Sequence, residues 1–248
     1  MRNRTRAILL VAVLAVLCFA TVAGGCGARA KEAPPEGALI RLYGEEHGLK
    51  AYYDAEFELW SGYYREGWRN LFVELPYYSA AFLNIWMGED SNELLDIWFE
   101  EISGTLAGNE RFYAFLQQIK ESCPETVFFG TDVGHQFQTT GPRYLRYLEE
   151  HGLKDSESYQ LAQTCMWQGT AFRDAQPQPD VADAVREMFM TSNFEDAYGR
   201  CGGGPVMGIY GAYHTDLSAP DVMASRLKTV YGDLLSSEAI RPAAGEDD

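Results

Sequence analysis

Hydrophobic residues in the middle and late parts of the chain gather in four short runs, at 38–43, 70–73, 126–129 and 206–210. Only Arg41 interrupts the first. Three runs close on glycine and the second on Glu74-Leu75-Pro76. Short apolar runs ended in this way predict strands buried in a parallel sheet. Between them the period changes. Over 50–65, Tyr53, Phe57, Trp60 and Tyr64 recur at steps of four, three and four, one face of a helix that Gly67 ends. Further helices are predicted over 77–87, 93–102, 109–121, 142–150, 156–172 and 223–235. Asp180 is the expected N-cap of another over 181–198, after the break Gln176-Pro177-Gln178-Pro179. Alternating strands and helices predict an α/β fold, a central and mainly parallel sheet of four or more strands flanked by helices. Such sheets build their sites outside the carboxyl ends of the strands.

The first 25 residues follow another pattern. Arg2, Arg4 and Arg6 precede an apolar stretch over 7–23, and Gly24-Gly25-Cys26 follows. A basic segment, an apolar segment short of a membrane span and small residues before a cysteine predict a lipoprotein signal peptide. Cys26 is then the lipidated first residue, 26–37 a polar tether, and 38–248 a single α/β domain. The protein is expected to be exported to the cell envelope and held at the membrane through that lipid. The chain carries 36 Asp and Glu against 20 Lys and Arg, three of which lie in the leader, so the remainder has a net charge of −19. That balance argues against nucleic acid as a partner and against electrostatic binding to anionic lipid. Cys123, Cys165 and Cys201 match no zinc-site spacing. One disulfide with a spare thiol and a set of buried free thiols both remain open.

The residues with chemistry sit where the apolar runs stop. Gly44-Glu45-Glu46-His47-Gly48 follows the first run and Gly211-Ala212-Tyr213-His214 the fourth, each placing a histidine three residues after a glycine. Glu74 ends the second run, Asp132 and His135 follow the third, and Asp216 follows His214. Parallel strands present their carboxyl ends along one edge, so these acids and histidines can converge. Charge at that edge is costly unless paired or metal-bound. Glu45 is favoured over Glu46 because alternate residues of an extended chain point the same way. His135 and His151 read as polar loop residues; Asp132 and Asp216 read equally as turn or site residues. Gly202-Gly203-Gly204-Pro205 precedes its strand and is followed by no Gly-Lys-Ser/Thr, so it is a turn rather than a phosphate loop. Neither a Gly-x-Ser-x-Gly elbow nor a His-Glu-x-x-His pair is present, which argues against a serine hydrolase of the usual α/β type.

Gly-Glu-x-His-Gly at 44–48, Phe-Val-Glu at 72–74, Gly-x-Asp at 130–132 and Gly-x-x-His at 211–214, in that order, resemble the erythromycin esterase, ChaN, TraB and Tiki superfamily. The stretch from Arg186 to Asn193 is similar to the Arg-Asp-x-x-Met-x-x-Asn signature of the esterase branch, with Glu187 in the aspartate position. Arg186, Met190 and Asn193 share one helical face. The resemblance implies an α/β fold with its site at the strand ends. For the esterase branch it implies Glu45, His47, Glu74 and His214 as catalytic residues, with Asp132, Arg186 and Asn193 at the substrate and a histidine activating water against an ester. For the Tiki and TraB branch it implies His47, Glu74 and His214 as ligands of a divalent metal used in peptide hydrolysis. The ChaN branch implies haem binding, for which Tyr77, Tyr78, Phe82, Trp86 and Trp98 are the available aromatics. A histidine beside a carboxylate can itself take a proton from water near neutral pH. The expected function is an exported lipoprotein hydrolase acting on a small-molecule or peptide substrate. The alternatives are a lipoprotein that binds haem or another ligand, and a scaffold lipoprotein with an inactive site.

Overall fold

The computed structural model describes residues 37–242; the leader, Cys26, the rest of the tether and positions 243–248 lie outside the described residues. Five strands, β1 (Ile40–Glu45), β2 (Asn70–Pro76), β3 (Val127–Asp132), β4 (Val206–Gly211) and β5 (Leu235–Ala239), form one sheet in the order β3-β2-β4-β1-β5. Every neighbouring pair is parallel. Among the described residues nine helices flank it: α1 (Lys50–Arg65), α2 (Tyr77–Met87), α3 (Glu93–Glu101), α4 (Glu110–Ser122), α5 (Thr140–Glu150), α6 (Glu157–Ala175), α7 (Pro179–Arg200), α8 (Ala212–Thr215) and α9 (Met223–Tyr231). The α/β class expected from the alternation is the class observed.

The strand order decides what meets what. The first crossover, through α1, carries the chain from β1 past a gap to β2, and β4 later fills that gap. Glu45 therefore lies beside Gly211 in the β1–β4 register, and Val73 beside Ile209 in the β2–β4 register. The two Gly-x-x-His segments, far apart in sequence, leave the sheet side by side.

Side-chain alternation along β2 divides the core. Leu71 and Val73 pack with Trp60, Trp86 and Trp98 under α1–α4, whereas Phe72 packs with Phe194 of α7 and Leu227 of α9. Tyr78 and Phe82 of α2 meet Tyr144 and Leu148 of α5 in a third cluster. Burying each such side chain contributes roughly 1.5–3 kcal/mol. Tyr78, Phe82, Trp86 and Trp98 are thus fully used as core, and Tyr77 packs against the third cluster. These aromatics are helix faces packed as core.

Two expectations are revised, and the choice left open for the cysteines is made. The segment 223–235 is not one helix: α9 stops at Tyr231 because Gly232 adopts φ 53, a conformation that favours glycine, and β5 follows. β5 reads Leu-Ser-Ser-Glu-Ala and pairs with β1 through its backbone, so it carries no apolar strand pattern. Asp180 is not an N-cap: Pro179 opens α7, Gln178 holds the cap position and Asp180 falls in the first turn. Cys123, Cys165 and Cys201 are all free thiols.

Candidate functional site

β1, β2 and β3 run further than their apolar stretches, so Glu45, Glu74 and Asp132 belong to strands rather than to the loops after them. Glu74 has a particular setting. The β2–β3 register slips between Val73 and Pro76, and this bulge re-aims the residues inside it. A Cβ on Gly130 would lie 2.4 Å from the Pro76 carbonyl oxygen, so the bulge can close only over a glycine. Gly211, at the end of β4, makes a second close approach: its N–H donates to Glu74 Oε2 at 2.6 Å. A Cβ there would stand 3.0 Å from His47 Nε2.

Two histidine–glutamate pairs converge on Glu74. His47 Nδ1 bonds Glu45 Oε1, and His214 Nδ1 bonds Glu187 Oε1. A carboxylate only accepts, so both Nδ1 atoms carry the proton and both Nε2 atoms are turned away from their partners. Those Nε2 atoms lie 3.6 Å (His47) and 3.4 Å (His214) from Glu74 Oε1. Arg186 of α7 fixes the centre, donating to Glu74 Oε1 at 2.6 Å and to both oxygens of Asp132 at 2.7 and 3.0 Å. His135 Nε2 completes the row, 2.8 Å from Asp132 Oδ2.

Charge follows from this packing. Burial pushes the Glu74 carboxyl up, but the hydrogen bonds from His214 and His47 and the Arg186 charge outweigh it and hold the group well below the usual range. Asp132 is likewise held low, burial being outweighed by the charges of His135 and Arg186. The Glu45 bond, then that of Glu74, raises His47 to about 10. Burial opposes protonation of His214, yet the bonds to Glu187 and Glu74 raise it to about 9. Both imidazoles therefore hold their second proton at neutral pH. The groups face a cavity of about 680 Å³, whose far wall, with Leu106, Ala107, Phe112 and Phe115, is apolar.

His47, Glu45, Glu74, His214, Asp132 and Arg186 are brought together here; Asn193 is not. Asn193 exchanges two hydrogen bonds with Gln168 and donates to the Thr131 carbonyl, so it secures the end of β3 to α6 and α7 and lines no part of the cavity. Glu46 lines the cavity rim without joining the network. His151 bonds the Tyr147 carbonyl, and Asp216 bonds Ser218 in a turn. Two members were given no site role from sequence, although His135 was placed among the strand-end groups and Glu187 in the aspartate position of the esterase signature. His135 read as a loop residue, although it stands three residues after Asp132. Glu187 is 2% exposed and also accepts the N–H of Met223 at 2.6 Å. The one available signal for it was its place beside Arg186.

The trio His47, Glu74 and His214 does not fit a divalent metal. Both Glu74 oxygens already accept N–H donors, one from a guanidinium whose positive charge stands 2.6 Å away. Both imidazoles hold the protons a metal would have to displace. Among the described residues no group of three His, Cys, Asp or Glu side chains is arranged to hold a metal ion.

No family model matches the chain, and no curated protein matches it in sequence. Solved structures do match in fold. A succinoglycan biosynthesis protein superposes with a TM-score of 0.58 at 14% identity, over 81% of this chain and 65% of that one. A protein from Bacillus cereus gives 0.59 at 13% identity, over 82% and 65%. A histidine-to-asparagine mutant of the erythromycin esterase EreC, in its open conformation, gives 0.60 at 11% identity, over 82% and 70%. The chain thus spans about two thirds of the length of the structures it matches. The resemblance drawn from the strand-end motifs holds at the level of fold: this chain, with its five-stranded parallel sheet, is similar in fold to the erythromycin esterase EreC and to the succinoglycan biosynthesis protein.

Proposed function

We propose that the protein is a hydrolase that activates water at His47 to cleave an ester in a small-molecule or peptide substrate. The observation that carries this is the pair of glutamate-oriented histidines presenting their Nε2 atoms to one clamped carboxylate in an open-mouthed cavity. The likeness in fold to an erythromycin esterase supports the ester class. Once His47 has lost one proton, its Nδ1–H stays on Glu45 and its Nε2 lone pair faces the cavity. It takes a proton from water as the water oxygen attacks the carbonyl carbon. The reactive form is the one in which His47 has given up its second proton while His214 keeps its own, and His214 then offers Nε2–H to the developing oxyanion. Glu74 steadies the imidazolium formed on His47, which returns its proton to the leaving alkoxide. The basic leader, apolar stretch and Gly-Gly-Cys26 support export and attachment to the membrane through lipid on Cys26.

The test is turnover of a panel of p-nitrophenyl esters by the wild type, His47→Ala and His214→Ala, with circular dichroism to verify folding. Loss of a general base costs roughly 10²–10⁴-fold in rate. A folded His47→Ala protein with unchanged turnover overturns the assignment.

A further inference from the structure

Beyond the Glu45–His47 pair, the cavity wall holds two carboxyl oxygens that no protein group satisfies. Glu56 of α1 is 2% exposed and its Oε1 has no hydrogen-bond partner; Glu45 Oε2 has none either. Both residues line the cavity. Ala51, Tyr53 and Trp60 are the other buried residues of α1, so Glu56 stands on an inward face where an apolar side chain would cost nothing. Burial, and after it the charge on Glu45, pushes its carboxyl well above the usual range. A buried polar atom without a partner carries the full loss of its hydration.

No basic group of the wall is left for these oxygens. Among the residues lining the cavity Arg186 is the only lysine or arginine, and Asp132 and Glu74 take it. His47 Nδ1 is spent on Glu45 Oε1, and His135 Nε2 faces Asp132. Leu106, Ala107, Phe112 and Phe115 line the same cavity and offer a ligand only apolar contact.

We propose that Glu45 and Glu56 form a subsite for a protonated primary amine carried on an apolar body, so that this site takes alkylammonium ligands. An ammonium group has three N–H donors and can serve both orphaned oxygens, where an alcohol has one. Its charge, out of bulk water, draws Glu56 into the ionised form. The Glu56 O–H bond then breaks, its proton passes to solvent, and the ammonium keeps all three of its own. That such a ligand is also the substrate rests on the hydrolase reading; the binding does not.

Calorimetric titration of the whole protein at neutral pH, in two buffers of different ionisation enthalpy, compares 4-phenylbutylammonium with 4-phenylbutan-1-ol. The ammonium is expected to bind roughly tenfold or more tightly than the alcohol and to release up to one proton per ligand. Glu56→Gln, which cannot ionise, should lower the ammonium affinity to that of the alcohol and abolish the proton release. Equal binding of the two probes, binding of neither, or an ammonium affinity unchanged in Glu56→Gln overturns the proposal. Should that variant fail to fold, proton release by the wild type decides alone. None of these readings involves turnover, so a protein inert towards esters still tests the subsite, and one active on esters can still fail it.

Discussion

Replacing Arg186 with methionine removes the one permanent positive charge from the centre of the site while keeping the apolar stem of the side chain. The guanidinium makes three hydrogen bonds, one to Glu74 and two to Asp132, whose side chains are 9% and 1% exposed. Breaking a buried ion pair by removing one partner costs about 3–5 kcal/mol. Asp132 keeps His135, and Glu74 keeps the Gly211 N–H and the two imidazoles, which holds the loss to the lower end, about 3 kcal/mol. For a domain of this size each kcal/mol moves the thermal midpoint by about 2–4 °C, so a fall of about 6–12 °C is expected. Thermal unfolding by circular dichroism near pH 7.5 measures it. The pH dependence adds a second constraint. Glu74 and Asp132 are depressed in the folded wild type, so their contribution is present above ordinary carboxylate values and lost as pH falls through the folded ones. In the variant the part of it owed to Arg186 is gone, and the gap must narrow as the pH is lowered below about 4. A midpoint within about 2 °C of wild type near neutrality, or a gap independent of pH, refutes the reasoning.

Three more outcomes follow from the same geometry. His47 and His214 are raised to about 10 and about 9, so their stabilising contribution is complete below about 6.5 and disappears as pH rises through 9–10. Ester turnover needs His47 without its second proton and His214 with its own, so it should climb with pH to a maximum between about 9 and 10 and fall beyond it; a turnover optimum near pH 6 contradicts it. Gly211→Ala keeps an allowed backbone (φ −53) but sets a methyl 3.0 Å from His47 Nε2. Turnover should fall tenfold or so while the melting temperature barely moves, and full activity would show that His47 need not stand where it does. Glu187→Ala leaves His214 Nδ1 and the Met223 N–H unpaired. A stability loss of about 1–3 kcal/mol in chemical denaturation is expected together with reduced turnover; a change in neither shows that Glu187 does not orient His214.

Much of this protein could be read from its residues taken in order. Short apolar runs, three closed by glycine and one by Glu74-Leu75-Pro76, located four of the five strands, and steps of three and four located the helices, because burial selects those periods directly. Placing Glu45, His47, Glu74 and His214 at strand ends required only that parallel strands share an edge. Register, pairing and side-chain partners came from the tertiary structure alone. β5 has no apolar pattern because backbone hydrogen bonds to β1 hold it, and composition does not record them. Asn193 shares a helical face with Arg186, yet Gln168 and the end of β3 capture it before it reaches the cavity. Glu187 and Glu56 looked like ordinary helix acids. Only the packing of α7 against α8 and of α1 over the strand ends buried them, and burial gives a carboxyl its role. The metal that the Tiki and TraB branch implies meets an obstacle of the same kind: Arg186, over a hundred positions from Glu74, folds back to occupy the carboxylate a cation would need. Local pattern therefore determined the elements and their ends. Long-range contact decided which charges meet there and in what protonation state.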